Sequence, residues 1–578
     1  MRWTLPPIGI TAGFRPNRSD LLLIPLGFAV LALLAQGGAD MARPFDLGQP
    51  PPPLSLDPAR LPEYLLASVM RMGAALRLSL AFTLIYATLA AKLPRLERVL
   101  IPLLDVLQSI PVLGYLSITV TGFVALFPGS RLGLECAAIF AVFTSQAWNM
   151  AFSLYSSLKT VPPDLTEAAR MLHLSPWQRF WRLDMPWAMP GLVWNMMMSV
   201  SGGWFFVVAS EAISVSGQTV LLPGIGSYIA VAVEARDLAA IGWAVAAVLA
   251  GVLIYDQLMF RPLVAWADKF KSETVAGEAA PESWLLTLMQ RARLPRAVGR
   301  LAGRGWEAFA GLFRGRADRP SRPVVAASTP RPWLDRLDHL VVVVVAVLGV
   351  LALARLVAAE VGWAELLRVA GLGLATMTRV LVLVALASLV WVPVGVWIGQ
   401  RPGFARDIQW LAQFLAAFPA NLVFPLVVMA VVRFDLNVDV WTSPLMILGT
   451  QWYILFNVIA GASGIPRDLK EAAGNLGVTG WLKWRRLILP AIFPAYVTGV
   501  VTAAGGSWNA AIVSEWVSWG DTRLEAHGLG AYIARATADG DFPRVALGIA
   551  VMCLLVMAIN RGVWRRLHLM AEERLRLD

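Results

Sequence analysis

The sequence predicts an all-α membrane protein of about twelve transmembrane helices arranged in two parallel six-helix repeats. Three observations predict it. The 578 residues are 57% hydrophobic and only 15% charged, with a mean hydropathy of +0.63, far from the balance of a soluble domain. Apolar runs long enough to cross about 30 Å of hydrocarbon recur along the whole chain. The polar stretch "DLTEAARML" at 164–172 returns 304 residues later as "DLKEAAGNL" at 468–476.

The runs place spans near 20–37, 66–91, 99–127, 134–158, 187–212 and 238–262, then near 338–358, 367–399, 408–431, 441–462, 491–515 and 544–564. The first run, "LLLIPLGFAVLALLAQGGA", follows Arg2, Arg15 and Arg18 and also fits a secretory signal peptide. A retained helix is favoured, because the second half opens on the same kind of run, "LVVVVVAVLGVLALARLVAA", after a basic stretch. Basic residues cluster in alternate loops, around Lys92 to Arg98, Arg170 to Arg182, 263–336, Arg401 and Arg406, Lys483 to Arg486, and in the C-terminal tail. The positive-inside rule then places both termini and both polar repeats in the cytoplasm.

The net charge of +11 does not point to nucleic acid. Of the 49 basic residues 43 are arginine, and they fall in short clusters between apolar runs, which is a topology signal and not a duplex-binding face. Cys136 and Cys553 lie in or beside apolar segments about 400 residues apart, so no disulfide is expected.

Sliding 161–237 by 304 residues onto 465–541 gives 25 identities in 77 positions without a gap. This is an internal duplication. Six spans in each half give the copies the same orientation, related by an axis along the membrane normal. Within the repeated loop, Asp164 with Glu167 and Asp468 with Glu471 have capping-box spacing at the start of an Ala-rich helix. Gly477 can end the second copy of that helix in a left-handed turn, and Thr479 can cap a further short helix up to Pro490. The first copy has Ser175 and Pro176 as N-cap and N1, and closes at Pro186. His173 stands at Gly477's counterpart, so the first turn is expected to differ in geometry. One such loop could be a plain interfacial helix pair. Two copies in register imply that each fits the same external shape.

Glu-Ala-Ala, three residues, Gly and a closing apolar-x-apolar-Pro together resemble the cytoplasmic loop of permease subunits of binding-protein-dependent ABC importers. "EAAGNLGVTGWLKWRRLILP" fits throughout, whereas "EAARMLHLSPWQRFWRLDMP" departs at His173 and Asp184. The stretches "LLDVLQSIPVLGYLSI", "SEAISVSGQTVLLPGIGSYIA" and "SEW" with "GLGAYIA" resemble the nitrate/sulfonate/taurine branch of that family. The resemblance implies a type I ABC importer permease (MetI-like) fold, with two permease units fused in one chain. It implies ATPase coupling through Glu167, Ala168, Ala169, Glu471, Ala472, Ala473 and Gly477; His173 occupies the matching site without inheriting the glycine's role. It also implies two cytoplasmic ATP-binding cassette subunits, a periplasmic or lipid-anchored solute-binding protein, a bacterial inner-membrane location, and a small oxyanion such as nitrate, a sulfonate, taurine or bicarbonate as solute.

No G-x-x-x-x-G-K-[ST] occurs, since Lys159 and Lys271, the two lysines followed by Thr or Ser, lack the preceding glycines. The expectation is therefore no enzyme and no cofactor in this chain, with ATP and Mg in a partner ATPase. Inside the membrane, Trp204 and Trp508 either line the pathway or fill space beside it. Glu211 and Glu515 are either functional acids or structural hydrogen-bond acceptors for the G-x-G-x-Y segments that follow. Residues 1–264 form the expected first repeat with its coupling loop at 161–186, and 336–578 the second with its loop at 465–490. The linker 265–335 reads as basic amphipathic helix against anionic lipid, followed by a tether. Two rivals remain: a secondary transporter of twelve spans driven by an ion gradient, and a scaffold that kept the loops without transporting.

Overall fold

In the computed structural model, the described residues are 54–215, 218–270, 283–311, 357–401, 415–519 and 522–567, with scattered positions among 19–32 and 349–355 and at 570. The expected spans at 20–37 and 338–358 lie largely outside them. Two compact units partition the chain: residues 1–39, 160–193 and 254–320 form one, and 40–159, 194–253 and 321–578 the other.

The first repeat runs α1 (Leu61–Lys92), α2 (Pro94–Ser109), α3 (Leu116–Leu126), α4 (Leu132–Lys159), α5 (Pro163–Met171), α6 (Pro176–Glu211), the hairpin β1 (Ala212–Val215) and β2 (Gln218–Leu221), α7 (Ile225–Glu234) and α8 (Leu238–Phe270). Two linker helices follow, α9 (Trp284–Arg291) and α10 (Arg293–Ala310). The second repeat is α11 (Trp363–Gly399), α12 (Ala420–Arg433), α13 (Val438–Leu448), α14 (Gln451–Ser463), α15 (Arg467–Asn475), α16 (Gly480–Ser514), β3 (Trp516–Trp519), β4 (Thr522–Glu525), α17 (Leu529–Asp539) and α18 (Phe542–Leu567).

Among the described residues seven helices are long and apolar enough to cross a membrane, or eight if α13 and α14, bent by 44°, make one span. The expected span at 99–127 is broken instead. Ser109 ends α2, Pro111 cannot donate to the helix ladder, and a 3-10 turn at Val112–Gly114 restarts the chain as α3. The described part of the expected 408–431 span has the same break, with Pro419 before the turn Ala420–Val423 that opens α12. All-α also needs correction, because each repeat carries one antiparallel hairpin, Ala212 opposite Leu221 and Trp516 opposite Glu525. Both hairpins are short and β-branched residues lie in each.

The prolines expected to close the loop helices do not. α6 and α16 continue through Pro186 and Pro490 as helices of 36 and 35 residues. A π segment just before each proline, Phe180–Asp184 and Trp484–Ile488, widens the turn where the ring would otherwise meet a carbonyl. The spans are apolar outside as well as inside. α11 exposes Leu367, Leu374, Leu386 and Leu389 and buries Thr376, the inverse of a water-facing helix and the arrangement hydrocarbon requires. The main apolar core joins both repeats, with Leu134, Ala138 and Ala141 of α4 in the same cluster as Val380, Val384, Val500, Trp508 and Val551.

Candidate functional site

The repeated loop is helix, left-handed turn, helix in both copies. α5 and α15 are nine residues each, and their N-caps are Pro162 and Pro466, with no side-chain cap bond. The expected capping boxes are therefore absent: both helices start two residues earlier, so Asp164 and Asp468 lie inside the first turn, where a carboxylate favours the positive helix end. The turns have equivalent hydrogen bonds. His173 N–H donates to Arg170 O and Leu174 N–H to Ala169 O at 2.9 and 3.1 Å; Gly477 N–H donates to Gly474 O and Val478 N–H to Ala473 O at 3.0 and 2.9 Å. His173 sits at φ 50° and Gly477 at φ 66°. The expected difference in geometry is not found: histidine is held in the left-handed region at a steric cost that glycine avoids. Ser175 and Gln178 form a reciprocal capping box at the start of α6; Thr479 makes no side-chain cap bond.

The loops present matching surfaces. Glu167, Ala168, Glu471 and Ala472 are exposed, Ala169 is buried and Ala473 half-buried. Leu165 and Leu172, seven residues apart on one helical face, are 39% and 72% exposed, and Leu469 and Leu476 are 39% and 79% exposed. Duplicated, uncovered leucines beside acids form a surface suited to a protein partner.

The first loop carries a contact that composition did not reveal. Trp177 Nε1 donates to Phe309 O of α10 at 2.9 Å, the Trp181 ring meets Trp306 edge-on at 4.9 Å, and Phe309 packs on both loop tryptophans at 5.1 and 5.4 Å. Trp481, the counterpart of Trp177, is 73% exposed. Aromatic pairs of this kind contribute about 0.5–1.5 kcal/mol each. Replacing Trp306 and Phe309 together by alanine is therefore expected to speed trypsin cleavage at Arg296, Arg300 and Arg304 by about tenfold or more. Unchanged cleavage would show that α10 is held by other contacts.

Glu211 and Glu515 are wholly buried, each in a duplicated network. Ser68 Oγ, Arg71 Nη1 and Gly226 N–H donate to the Glu211 carboxylate at 2.6, 2.7 and 2.6 Å. Thr376 Oγ1, Arg379 Nη1 and Gly530 N–H donate to Glu515 at 2.8, 3.0 and 2.7 Å. Each arginine also holds a second acid: Arg71 forks onto Glu135 at 2.6 and 2.7 Å, and Arg379 reaches Asp439 at 2.7 Å. The hydroxyls close the loop by accepting from Ile225 and Leu529 N–H. Any side chain at Gly224 or Gly528 would collide with the glutamate carboxyl, which explains the first glycine of each G-x-G-x-Y. So the network ties the segment after each hairpin to a span, and both glutamates serve as hydrogen-bond acceptors there. Arg71, Arg379, Glu135, Asp439, Ser68 and Thr376 escaped the sequence reading. Their signal was an arginine deep within the first described span of each half, Arg71 and Arg379, spaced by 308 residues where the 161–237 stretch and its copy are spaced by 304.

Trp204 and Trp508 are 1% and 3% exposed, and Trp508 belongs to the main core.

The family model for the binding-protein-dependent transport system inner membrane component matches twice, at 81–260 and 391–568. Curated relatives include the bicarbonate transport system permease protein of Synechococcus elongatus, 30% identical over 25% of this chain and 51% of its own length. Others are the taurine transport system permease protein of Escherichia coli, 27% identical over 36% and 72%, and the nitrate import permease protein of Leptolyngbya laminosa, 25% identical over 32% and 63%. The chain thus spans about half to seven-tenths of the length of these relatives. With two family units covering more than half of its residues, this chain belongs to the inner membrane components of binding-protein-dependent transport systems, as a fused double permease of the nitrate/sulfonate/taurine type.

Proposed function

We propose that this chain forms the solute pathway of an ATP-driven importer and couples it to ATP hydrolysis through its two loops, 161–186 and 465–490. The observation that carries this reading is the pair of matching exposed surfaces, Leu165, Glu167 and Leu172 on one and Leu469, Glu471 and Leu476 on the other. Each would seat one ATP-binding cassette subunit on the cytoplasmic side, so a single polypeptide serves two ATPases. ATP and Mg belong to those subunits, and this chain supplies no cofactor. Closure of the ATPases pulls on α5 and α15, and the continuous helices α6 and α16 carry that displacement into the spans. A periplasmic or lipid-anchored binding protein delivers solute from the other side, with both termini of this chain in the cytoplasm of a bacterial cell. Ala168 and Ala472, exposed on the docking helices, allow close approach, Ala169 and Ala473 pack inward, and His173 and Gly477 set the turns that follow.

The relatives transport bicarbonate, nitrate and taurine by name, which supports a small oxyanion as solute. The experiment is uptake by the chain co-reconstituted with its ATPase and binding protein, using labelled nitrate, bicarbonate and taurine. ATP-dependent accumulation is expected. Accumulation driven by an ion gradient without ATP would favour the secondary transporter.

A further inference from the structure

The second repeat's broken span and α6 of the first repeat enclose a cavity of about 70 Å3, lined in part by Phe205, Phe206, Phe418, Ala420, Thr450 and Tyr453. That is room for several waters or a solute of a few heavy atoms.

The cavity sits where the duplication departs from symmetry. Pro111 and Pro419 precede equivalent turns, and a newly started turn leaves its first amides without helical acceptors. In the first repeat Val112 N–H finds one outside, donating to Asn509 Oδ1 at 2.6 Å. The 304-residue offset puts Phe205 at Asn509's counterpart, and a phenyl ring cannot accept that bond. Ala420 N–H, the equivalent of Val112 N–H, has no acceptor among the described residues; Phe205 and Ala420 line the same cavity. The Tyr453 hydroxyl, also without a partner among the described residues, lies so close to Gly202 that a Cβ there would come within 2.5 Å of it. Its counterpart Asn149 is instead bonded to Ser199 at 3.2 Å. Among the described residues no lysine, arginine, histidine or carboxylate lines the cavity.

We propose that this cavity is a solute subsite, present on one side of the duplicated pathway, that takes a small monovalent oxyanion or the oxyanion end of a zwitterion through the Ala420 amide and the Tyr453 hydroxyl. The proposal rests on the permease reading above. Two unsatisfied donors inside an aromatic wall favour an acceptor oxygen. Without a cation among the described residues of the wall, a doubly charged anion such as sulfate is left uncompensated there and disfavoured. Neutral donors also hold the solute weakly enough to let it pass on.

The test uses the complete complex in proteoliposomes with labelled nitrate, bicarbonate and taurine as probes and sulfate as the divalent comparison. Phe205→Asn supplies the missing acceptor and Tyr453→Phe removes one donor. Each is expected to raise the half-saturating solute concentration by about tenfold, the loss of one hydrogen bond to a charged group, while the ATPase still co-purifies. Phe205→Leu, which opens space without adding an acceptor, is expected to change it less than Phe205→Asn. Parent-like saturation in both Phe205→Asn and Tyr453→Phe would overturn the subsite, as would sulfate uptake equal to that of the monovalent probes. An assembled, ATP-hydrolysing complex that moves none of the three probes would overturn the oxyanion class. Failure of the parent to bind any ATPase would instead overturn the permease reading.

Discussion

Arg71→Leu is expected to cost about 3–5 kcal/mol of folding stability, because it strands two buried carboxylates. The Arg71 side chain is 1% exposed, Glu211 0% and Glu135 2%, so water does not compensate, and Arg131, whose Nε lies 3.9 Å from Glu135, offsets only part of the loss at that one acid. Arg379→Leu is expected to cost less. Arg379 is 16% exposed and its second acid, Asp439, is 47% exposed, so water takes over part of the lost pairing. Thermal unfolding of the purified chain in one detergent should rank parent, Arg379→Leu and Arg71→Leu in descending order. The triple change of Arg71, Glu135 and Glu211 to leucine removes the stranded charges along with their partner and should recover part of the loss. Equal midpoints for the two single variants would mean that burial does not set the strength of these networks.

Glu167→Arg combined with Glu471→Arg is expected to abolish recovery of the ATPase while changing the stability of the chain by no more than about 0.5 kcal/mol, as for an exposed helical site. Both side chains are exposed in the middle of α5 and α15. Their reversal replaces an acid by a cation on each proposed docking helix, beside the uncovered Leu172 and Leu476, and a charge mismatch rejects a partner strongly. Single reversals separate the loops. Because α10 packs on Trp177 and Trp181 at the first loop while Trp481 at the second stays uncovered, Glu471→Arg alone is expected to weaken the ATPase association more than Glu167→Arg alone. Binding of the purified single variants to the isolated ATPase would measure that ranking.

The fold was legible where the signal was local or repeated. Long apolar runs located α1, α4, α6, α8, α11, α16 and α18, and the 304-residue offset paired the loops before any geometry was known. Run length failed at Pro111 and Pro419, because hydropathy does not register a backbone break inside a continuous apolar stretch. The same blindness let Pro186 and Pro490 pass for helix ends, since a π segment that accommodates a proline leaves no compositional mark. The hairpins were hidden by brevity: four residues per strand carry too little alternation to compete with the helical pattern around them.

The buried glutamates were legible as a pair and their partners were not. Glu211 and Glu515 share the offset of the loops, whereas Arg71 and Arg379 come from a stretch displaced by four further residues. Only the folded chain brings Arg71 across 140 positions to Glu211, and Arg379 across 136 to Glu515. The same holds for the linker. Its basic, amphipathic composition pointed to lipid, but the tryptophan contact between α10 and the first loop joins residues 132 apart, a distance no periodicity reports.

The two loops are proposed to couple this permease to ATPase subunits. Purification of the tagged chain from its own host in mild detergent, beside the Glu167→Arg, Glu471→Arg variant, tests it most directly. An ATP-binding cassette protein is expected at about two copies per chain with the parent and none with the variant. Equal recovery with both, or no ATPase with the parent under conditions that keep another importer intact, would contradict it.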